Sequence, residues 1–389
     1  MGDFTVLVIL CLFALRLCTT LEARPAQVFD VLNFGAVGDG QTDDSKAFLK
    51  AWKALIDTES ATSVFEIPPN KLFLLRPLIL QGPTKSKTVH VSVLGDIVAA
   101  KKSSWKEFKS AWLQINNVDG LIIDGTGKLN GRGETWWGCK TLWTLFINGC
   151  NDLQLRGLTF INSPRNHISL SSITRATLSN LHIIAPENSP NTDGLDISHS
   201  TQIQIQDSFI STGDDCIAIN GGSSFINITN VACGPGHGIS VGSLGEKGST
   251  ETVEEIHVTS CNFTRTQNGV RIKTWQGGSG YARKISFKDI KLVAVDNPVI
   301  IDQTYCPSKR CNPKSRDVQV SHVSYIGVHG SSTQPAAIIL NCSKKVPCTR
   351  ILIKGVNIVS LNPGEETYAT CNSAHGNYYS TLPNVSCLA

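Results

Sequence analysis

The stretch that decides the fold is Ile203–Ile210 (IQIQDSFI), in which isoleucines alternate with polar residues. Such alternation predicts a β-strand with one buried face. Segments of this kind recur along the chain: Leu153–Phe160, Ala176–Ile183, Ile203–Ile210, Ile226–Cys233, Ile256–Phe263, Ile285–Leu292, Val318–Tyr325 and Ile351–Ile358. Their first residues are 23, 27, 23, 30, 29, 33 and 33 positions apart. Steps of this length, with Gly, Asn, Ser and Asp turns between them, predict a solenoid, because sandwiches and barrels have shorter spacing.

If each repeat forms one coil, equivalent strands stack in parallel about 4.8 Å apart, and their Ile, Leu and Val side chains fill a narrow core. The sequence therefore predicts an all-β chain folded as a parallel β-helix. Helical periodicity is present in Ser45–Asp57, where Phe48, Trp52 and Leu55 share one face. We expect this short helix to cap the N-terminal end of the solenoid.

The composition of the 389 residues, 41% apolar and 17% charged, excludes a disordered chain. No linker or low-complexity run divides the sequence, so we expect one domain over residues 24–389. Residues 1–23 are predicted to be a signal peptide, since Thr5–Leu15 is apolar but too short to span a bilayer. The leading segment has Asp3 and lacks the usual basic residues, so this prediction depends also on the cysteines and glycosylation sequons.

Both of these features favour a secreted, extracellular protein. Of the 13 cysteines, Cys11 and Cys18 would leave with the signal peptide, and the rest lack the spacing of a zinc site. The close pairs that could form disulfides are Cys216–Cys233, Cys306–Cys311, Cys342–Cys348 and Cys371–Cys387, which leaves a free thiol among Cys139, Cys150 and Cys261. The N-x-S/T sequons begin at Asn227, Asn262, Asn341 and Asn384.

The charge distribution bears on the partner. The formal net charge of +4 is spread along the chain without a basic block, so nucleic acid is not expected to bind. A mild positive excess is compatible with a polyanionic polysaccharide.

Three carboxylates and a histidine recur about one coil apart. Asp193 lies 21 residues before Asp214, which Asp215 follows directly, and His237 lies 23 residues after Asp214. This spacing should place the four side chains on adjacent rungs of one face. Asp214 and Asp215 can share a site only if Gly213 opens a turn or a bulge. The alternatives are that these residues only hold turns, or that the carboxylates bind Ca²⁺.

The next coil contributes two cations, Arg271 and Lys273, at positions i and i+2 around an inward-facing Ile272. Both are expected on the outer face, where an Arg fork and a Lys point charge can bind the carboxylate of an acidic sugar. Alternatively, they neutralise the neighbouring aspartates.

Four ordered segments resemble the signature segments of plant polygalacturonases of glycoside hydrolase family 28. They are Ser189–Gly194 (SPNTDG), Gly213–Ile219 (GDDCIAI), Cys233–Gly245 (CGPGHGISVGSLG) and Arg271–Gly277 (RIKTWQG). The resemblance extends over most of the chain, including Phe29–Asp44 (FDVLNFGAVGDGQTDD). It implies a right-handed parallel β-helix and hydrolysis, with inversion, of the α-1,4 bonds of homogalacturonan.

Carried over by position, the resemblance makes Asp214 the general acid, Asp193 and Asp215 the residues that activate water, and His237 the residue that tunes the acid. Arg271, Lys273, Tyr305 and Asn191 would bind or line the substrate. One departure is Asp196, which stands where many relatives have His, and it leaves the fine substrate preference open.

The partner implied by the resemblance is an acidic pectic polysaccharide of the cell wall, with no cofactor and no metal. After removal of the signal peptide we expect no membrane association and a monomer. The alternatives are a hydrolase of xylogalacturonan or rhamnogalacturonan, a Ca²⁺-dependent pectate lyase with Arg271 or Lys273 as base, and an inactive wall-binding solenoid. Endo or exo action stays open.

Overall fold

The computed structural model describes residues 26–105, 111–137, 143–307 and 316–388. The predicted signal peptide, Cys139 and Cys311 lie outside these ranges. Among the described residues, no helix is both long and apolar enough to span a membrane.

Parallel strands form three stacks that run along a common axis. The first stack consists of Gln27–Asp30, Thr62–Ile67, Thr88–Val93, Leu121–Gly125, Leu153–Arg156, Thr174–Ser179, Thr201–Ser211, Ser223–Cys233, Thr250–Thr259, Ser279–Val295, Gln319–Ser332, Cys348–Ser360 and Ala374–Leu382. The second stack consists of Asp39–Asp43, Leu72–Leu75, Asp96–Ala99, Lys128–Asn130, Thr159–Ile161, His182–Ile184 and Asn262–Thr264, and it joins the first through the long strands. The third stack consists of Leu78–Gln81, Ala111–Asn116, Trp143–Asn148, Ile168–Ser171, Leu195–Ser198, Ile217–Ile219, Ile239–Leu244, Asn268–Trp275, Asn297–Tyr305, Ala336–Asn341 and Tyr368–Asn372.

The predicted all-β fold, a single-domain right-handed parallel β-helix, is confirmed. Its inward Ile, Leu, Val and Phe side chains form one continuous buried core along the axis. Short 3-10 turns at Val31–Phe34, Lys102–Ser104, Gly133–Thr135 and Glu246–Gly248 interrupt the connections.

A left-handed residue at the fifth position of each repeat explains why an eight-residue pattern supplies two faces of the solenoid. In Ile203–Ile210 this residue is Asp207, with φ of 51°, and its equivalent in the next coil is Asn230, with φ of 54°. Gly, Asn and Asp adopt this conformation at low cost. The strand therefore bends there, and its two halves pack on adjacent faces of the core.

The predicted register is confirmed for seven of the repeats and wrong for one. Ala176, Ile203, Ile226, Ile256 and Ile285 lie on successive rungs. The residue beside Ile285 is Val323, however, and not the predicted Val318. Val318 and Val320, which precede the true repeat, are also buried, so the alternation of apolar and polar residues continues upstream of it. The alternation alone therefore predicted the first residue of this repeat too early in the sequence.

The capping helix is confirmed. It spans Ser45–Ile56, and Phe48, Trp52 and Leu55 are buried as predicted. Phe48 packs edge-on against Phe65 and Phe73, with ring centroids 5.8 and 5.4 Å apart. The helix thus covers apolar side chains that the first coils would otherwise expose to water.

Three predicted disulfides are present: Cys216–Cys233, Cys342–Cys348 and Cys371–Cys387. Cys150 and Cys261 are free and buried. The pairing of Cys306 with Cys311 involves a residue outside the described ranges and stays a prediction. The disulfide Cys216–Cys233 joins one coil to the next beside Asp215, so it ties together two rungs of the predicted site.

Candidate active site

The predicted acidic residues lie where the chain enters the third stack. Asp193 precedes the strand Leu195–Ser198, and Asp214 and Asp215 precede Ile217–Ile219. His237 precedes Ile239–Leu244 on the following rung. Backbone hydrogen bonds join these rungs, from the Gly194 N–H to the Asp215 carbonyl at 2.9 Å and from the His237 N–H to the Asp214 carbonyl at 2.7 Å. The predicted stacking of these residues on adjacent rungs is therefore present.

Gly213 makes room for the consecutive aspartates. A Cβ atom at this position would lie 2.0 Å from the Ser189 carbonyl oxygen, which no side chain can accommodate without a backbone shift. The close approach lets the Gly213 N–H bond to the Thr192 hydroxyl at 3.0 Å. The chain bends at this point, and the two aspartates then point in different directions: Asp215 is buried, while the side chain of Asp214 keeps 20% of its surface exposed.

Three groups hold the Asp214 carboxylate. Its Oδ1 accepts from His237 Nδ1 at 3.0 Å and from the Asp215 N–H at 2.8 Å. Its Oδ2 accepts from Asn191 Nδ2 at 3.3 Å. Burial acts to raise the pKa of Asp214, but the hydrogen bond and charge of His237, together with Lys273, outweigh it and hold the pKa below its ordinary value.

Asp215 is the centre of a buried ion-pair cluster. Arg271 Nη2 lies 2.6 Å from Asp215 Oδ1, and Lys273 Nζ lies 2.7 Å from Asp215 Oδ2. The side chains of Arg271 and Lys273 are only 11% and 9% exposed. Both lie on the outer face of the third stack, as predicted, and they neutralise an aspartate, which was the alternative interpretation of the pair.

Ser240 completes this cluster, and sequence reasoning missed it. Its hydroxyl donates to Asp215 Oδ1 and accepts from Arg271 Nε, both at 2.9 Å. Ser240 and Arg271 are neighbours in the ladder of the third stack, so the signal was the register of Ile239–Leu244 against Asn268–Trp275. The hydroxyl orients the guanidinium and the carboxylate at once.

Tyr305 lies at the end of the strand Asn297–Tyr305, beside the cations. Lys273 Nζ is 5.3 Å from the centre of its ring, and Trp275 packs edge-on against the ring at 5.6 Å. Asn191, in the left-handed conformation, is exposed and reaches Asp214. The structure thus brings all eight predicted site residues to one region of the outer face.

His167 is a second residue that sequence reasoning missed. It is fully buried beneath Asp193, with Nδ1 donating to the Asp193 carbonyl at 3.0 Å and Nε2 accepting from the Ser163 N–H at 3.3 Å. Burial lowers the pKa of His167 to about 4, so the ring is neutral at neutral pH. Its contribution is to fix the backbone that carries Asp193.

Two further carboxyls have raised pKa values. Burial, followed by the charges of Asp196, Asp214 and Asp215, raises the pKa of Asp193 well above its ordinary value. Burial also raises the pKa of Asp196 to about 6, against a hydrogen bond from Asn220 Nδ2 at 2.8 Å. The pKa values of Asp193 and Asp196 are therefore displaced in the opposite direction from the pKa of Asp214.

Replacing Asp196 by Asn is expected to stabilise the fold at pH 7 by about 2 kcal/mol, with allowance for its partial exposure. The folded pKa of Asp196 lies above 3.8, so its neutral form is favoured on folding, and that stability is lost as the pH rises through about 6. Asn stays neutral and can still accept from Asn220. Urea unfolding should show no gain near pH 3.5, and the exposed change Asp207→Asn should show none at either pH. A gain that does not depend on pH would contradict this account.

The chemistry of the donors argues against the Ca²⁺ interpretation. Asp214, Asp215 and His237 offer ligand atoms within 4.8 Å of one another. Both oxygens of Asp215, however, already accept from a cationic side chain. A hard dication would have to displace these cations and tolerate the charge of Arg271 and Lys273 beside it.

Comparisons with known proteins agree with the geometry. The model of the family described as glycosyl hydrolases family 28 matches residues 58–387. A protein of Arabidopsis thaliana named as a probable polygalacturonase is 46% identical over 97% of this chain and 83% of its own length. The polygalacturonase of Persea americana is 41% identical over 90% of this chain and 78% of its own.

Solved structures share the fold. The endo-xylogalacturonan hydrolase of Aspergillus tubingensis is 26% identical and superposes with a TM-score of 0.74 over 90% of this chain and all of its own. The polygalacturonase of Erwinia carotovora, at 19% identity, has a TM-score of 0.71 over 91% of this chain and 97% of its own.

Proposed function

Because this chain belongs to glycosyl hydrolases family 28, we propose that it hydrolyses the α-1,4 bonds between galacturonic acid residues of pectin, with inversion. It is a glycoside hydrolase. Its relatives named as polygalacturonases support homogalacturonan as the backbone that is cut.

The single observation that carries this proposal is the juxtaposition of carboxylates and cations on one outer face. Lys273 lies between Asp215 and Tyr305, and Arg271 lies beside it on the same strand. Hydrolysis of a glycosidic bond needs an acid and a base, and an acidic sugar needs a cation. The same few rungs provide all three.

In the proposed mechanism Asp214 protonates the departing glycosidic oxygen, while Asp193 and Asp215 orient and activate a water molecule on the opposite side of the sugar. His237 Nδ1 lies 3.0 Å from Asp214 Oδ1, so the imidazole orients the carboxyl that delivers the proton. Asn191 fixes the second oxygen of Asp214 and so directs the first.

Substrate binding supplies the change that makes Asp214 an acid. In the free site, His237 and Lys273 hold the pKa of Asp214 below its ordinary value. A galacturonate carboxylate that pairs with Lys273 and Arg271 brings a negative charge close to Asp214. This charge compensates the two cations and therefore raises the pKa of Asp214. The substrate thereby creates the protonated form that its cleavage requires.

The finer assignments follow from the same proposal. We propose that residues 1–23 are removed as a signal peptide, that residues 24–389 form the secreted catalytic domain, and that it acts as a monomer on pectin in the cell wall. Arg271 and Lys273 act as cations bound to Asp215 and not as elimination bases, which favours hydrolysis over a lyase reaction.

Purified protein should release reducing ends from de-esterified polygalacturonate at about pH 5 without a rise in ultraviolet absorbance, since hydrolysis forms no double bond. Viscosity followed in the same sample distinguishes endo from exo attack. Growing absorbance would contradict the hydrolytic reaction.

A second candidate substrate is xylogalacturonan, favoured by the 26% identity to the Aspergillus tubingensis hydrolase. The same assay with xylogalacturonan tests this candidate. Cleavage of that polymer alone would move the assignment to the substituted backbone.

A further inference from the structure

The buried His167 holds one particular peptide group of the active site, the one that joins Asp193 to Gly194. The Asp193 carbonyl accepts from two donors of His167, its backbone N–H at 2.8 Å and its ring Nδ1 at 3.0 Å. The Gly194 N–H at the other end of this peptide donates to the Asp215 carbonyl at 2.9 Å. The peptide is therefore fixed at both ends, and the carboxyl of Asp193 is placed by the same backbone.

The partners of the His167 ring are compatible with a single protonation state. A carbonyl can only accept, so Nδ1 carries the hydrogen that bonds to Asp193. The Ser163 N–H can only donate, so Nε2, at 3.3 Å, must be free of hydrogen. Both contacts are satisfied only when the ring is neutral and has its proton on Nδ1.

Ser163 is itself held in place. Its hydroxyl accepts from the Thr144 hydroxyl at 2.7 Å and donates to the Asn166 carbonyl at 2.8 Å, and all three residues are buried. The Ser163 N–H therefore stays directed at Nε2. A second proton on the ring would bring two donors face to face at this contact, in a place that water does not reach.

Several charged or titratable residues lie on the segments that surround the ring: Arg132, Glu134, Arg165, His182, Glu187, Asp193, Asp196, Asp214 and Asp215. In the part of the chain that the structure describes, none of their side chains forms a hydrogen bond or an ion pair with the His167 ring. Burial lowers the pKa of His167 to about 4, against the opposing effect of the Asp193, Ile184 and Thr192 carbonyls. The ring thus takes up a proton only in acid, and its two side-chain contacts cannot both survive that step.

We propose that His167 is a positioning residue for hydrolysis: its neutral ring holds the Asp193 backbone so that the carboxyl can activate water, and protonation of the ring releases Asp193 and ends activity in acid. This role rests on the proposed function, because it acts through Asp193. It differs from a purely structural role in that kcat, and not only stability, depends on the contact between Nδ1 and the Asp193 carbonyl.

Two variants separate the contacts of the ring. In His167→Asn the amide nitrogen lies close to the position of Nδ1 and can still donate to Asp193, but nothing accepts from Ser163. In His167→Gln the amide lies near the position of Nε2, so its oxygen can accept from Ser163, but the donor to Asp193 is lost. Each variant loses one buried hydrogen bond, so similar losses of Tm are expected.

Catalysis should distinguish the two variants. At about pH 6, His167→Asn should keep most of the wild-type kcat, whereas His167→Gln should lose between about tenfold and a hundredfold, the effect of a misplaced catalytic group. KM on polygalacturonate should stay unchanged in both, because Arg271 and Lys273 are not touched. Equal kcat in the two variants, or a change in KM alone, would overturn the proposal.

The pH profile supplies the second readout. In the wild type kcat should fall as the pH drops through about 4. Asn does not titrate, so in His167→Asn the fall should begin at lower pH and be less steep. The matched control is His182→Asn, which removes an exposed histidine from the next coil and should keep the wild-type profile. An acid limit that is the same in His167→Asn and in the wild type would overturn the proposal.

The imidazole ¹⁵N chemical shifts of the wild type test the ring without any assay of activity. The expected result is a neutral ring with its proton on Nδ1 from about pH 6 down to about pH 4. A ring that is already charged at about pH 6, or that carries its proton on Nε2, would overturn the proposal whatever the variants do. Failure of the proposed function is distinguishable, since the wild type would then cut no galacturonate at any pH, whichever form the ring takes.

Discussion

The variant Asp214→Asn is expected to lose about three orders of magnitude in kcat on polygalacturonate, the usual loss for a proton-transfer group. Asn has the same size as Asp and still accepts from His237 and from the Asp215 N–H, but it cannot deliver a proton. KM should change little, because the cations that bind the substrate carboxylate stay in place. Initial rates of reducing-end formation measure the effect.

The control for this variant is Asp207→Asn in the preceding strand. Asp207 is exposed, lies in the left-handed conformation that Asn also tolerates, and accepts from Asn230 Nδ2 at 2.7 Å. The same chemical change there should leave kcat and Tm unaltered. If Asp214→Asn retained most of its activity with an intact fold, the acid would have to be another carboxyl, and Asp193, with its raised pKa, would be the first candidate.

The fold was predictable because one local rule repeats in every coil. Period-two alternation marks the strands, and a Gly, Asn, Asp or Ser at the fifth position, as at Asn180 and Asp289, turns the chain in the left-handed conformation. Where the alternation of apolar and polar residues extends beyond the repeat, as it does upstream of Val323, the sequence pattern alone cannot determine the strand register. The hydrogen-bond ladder does so, because it pairs Ile285 with Val323.

The site was predictable to the extent that it depends on spacing. Because Asp193, Asp214 and His237 are about one coil apart in sequence, their backbones lie on adjacent rungs, whichever way their side chains point. The burial and orientation of each side chain cannot be predicted in this way, since they depend on which neighbouring residues pack against it. The sequence could not decide whether Arg271 and Lys273 face solvent or Asp215, because that depends on packing from coils far apart in the chain.

The same limit explains the residues that sequence reasoning missed. His167 carries no motif, and its neutral state follows from complete burial and from two backbone partners that only the fold brings together. Ser240 lies within a recognised segment, but its hydroxyl is informative only once the register places it between Arg271 and Asp215.

The second large effect is expected from Lys273→Met, which should lower the free energy of unfolding by about 3–5 kcal/mol, because it leaves Asp215 buried with only part of its compensating charge. The Lys273 ammonium lies 2.7 Å from Asp215 Oδ2, and the carboxylate is 1% exposed, so water cannot replace the lost partner. Hydrolysis should also be lost, since the same ammonium is proposed to bind the substrate. Urea unfolding at pH 7 measures the first effect, and initial rates measure the second.

Adding Asp215→Asn to Lys273→Met separates the two roles of the cluster. The neutral amide no longer needs the ammonium, so most of the lost stability should return. Activity should not return, because the double variant lacks both a substrate cation and a water-activating carboxylate. Recovery of activity together with stability would mean that hydrolysis needs neither the Lys273 ammonium nor the Asp215 carboxylate. No recovery of stability would mean that the single variant is destabilised by lost packing and not by the unpaired charge of Asp215.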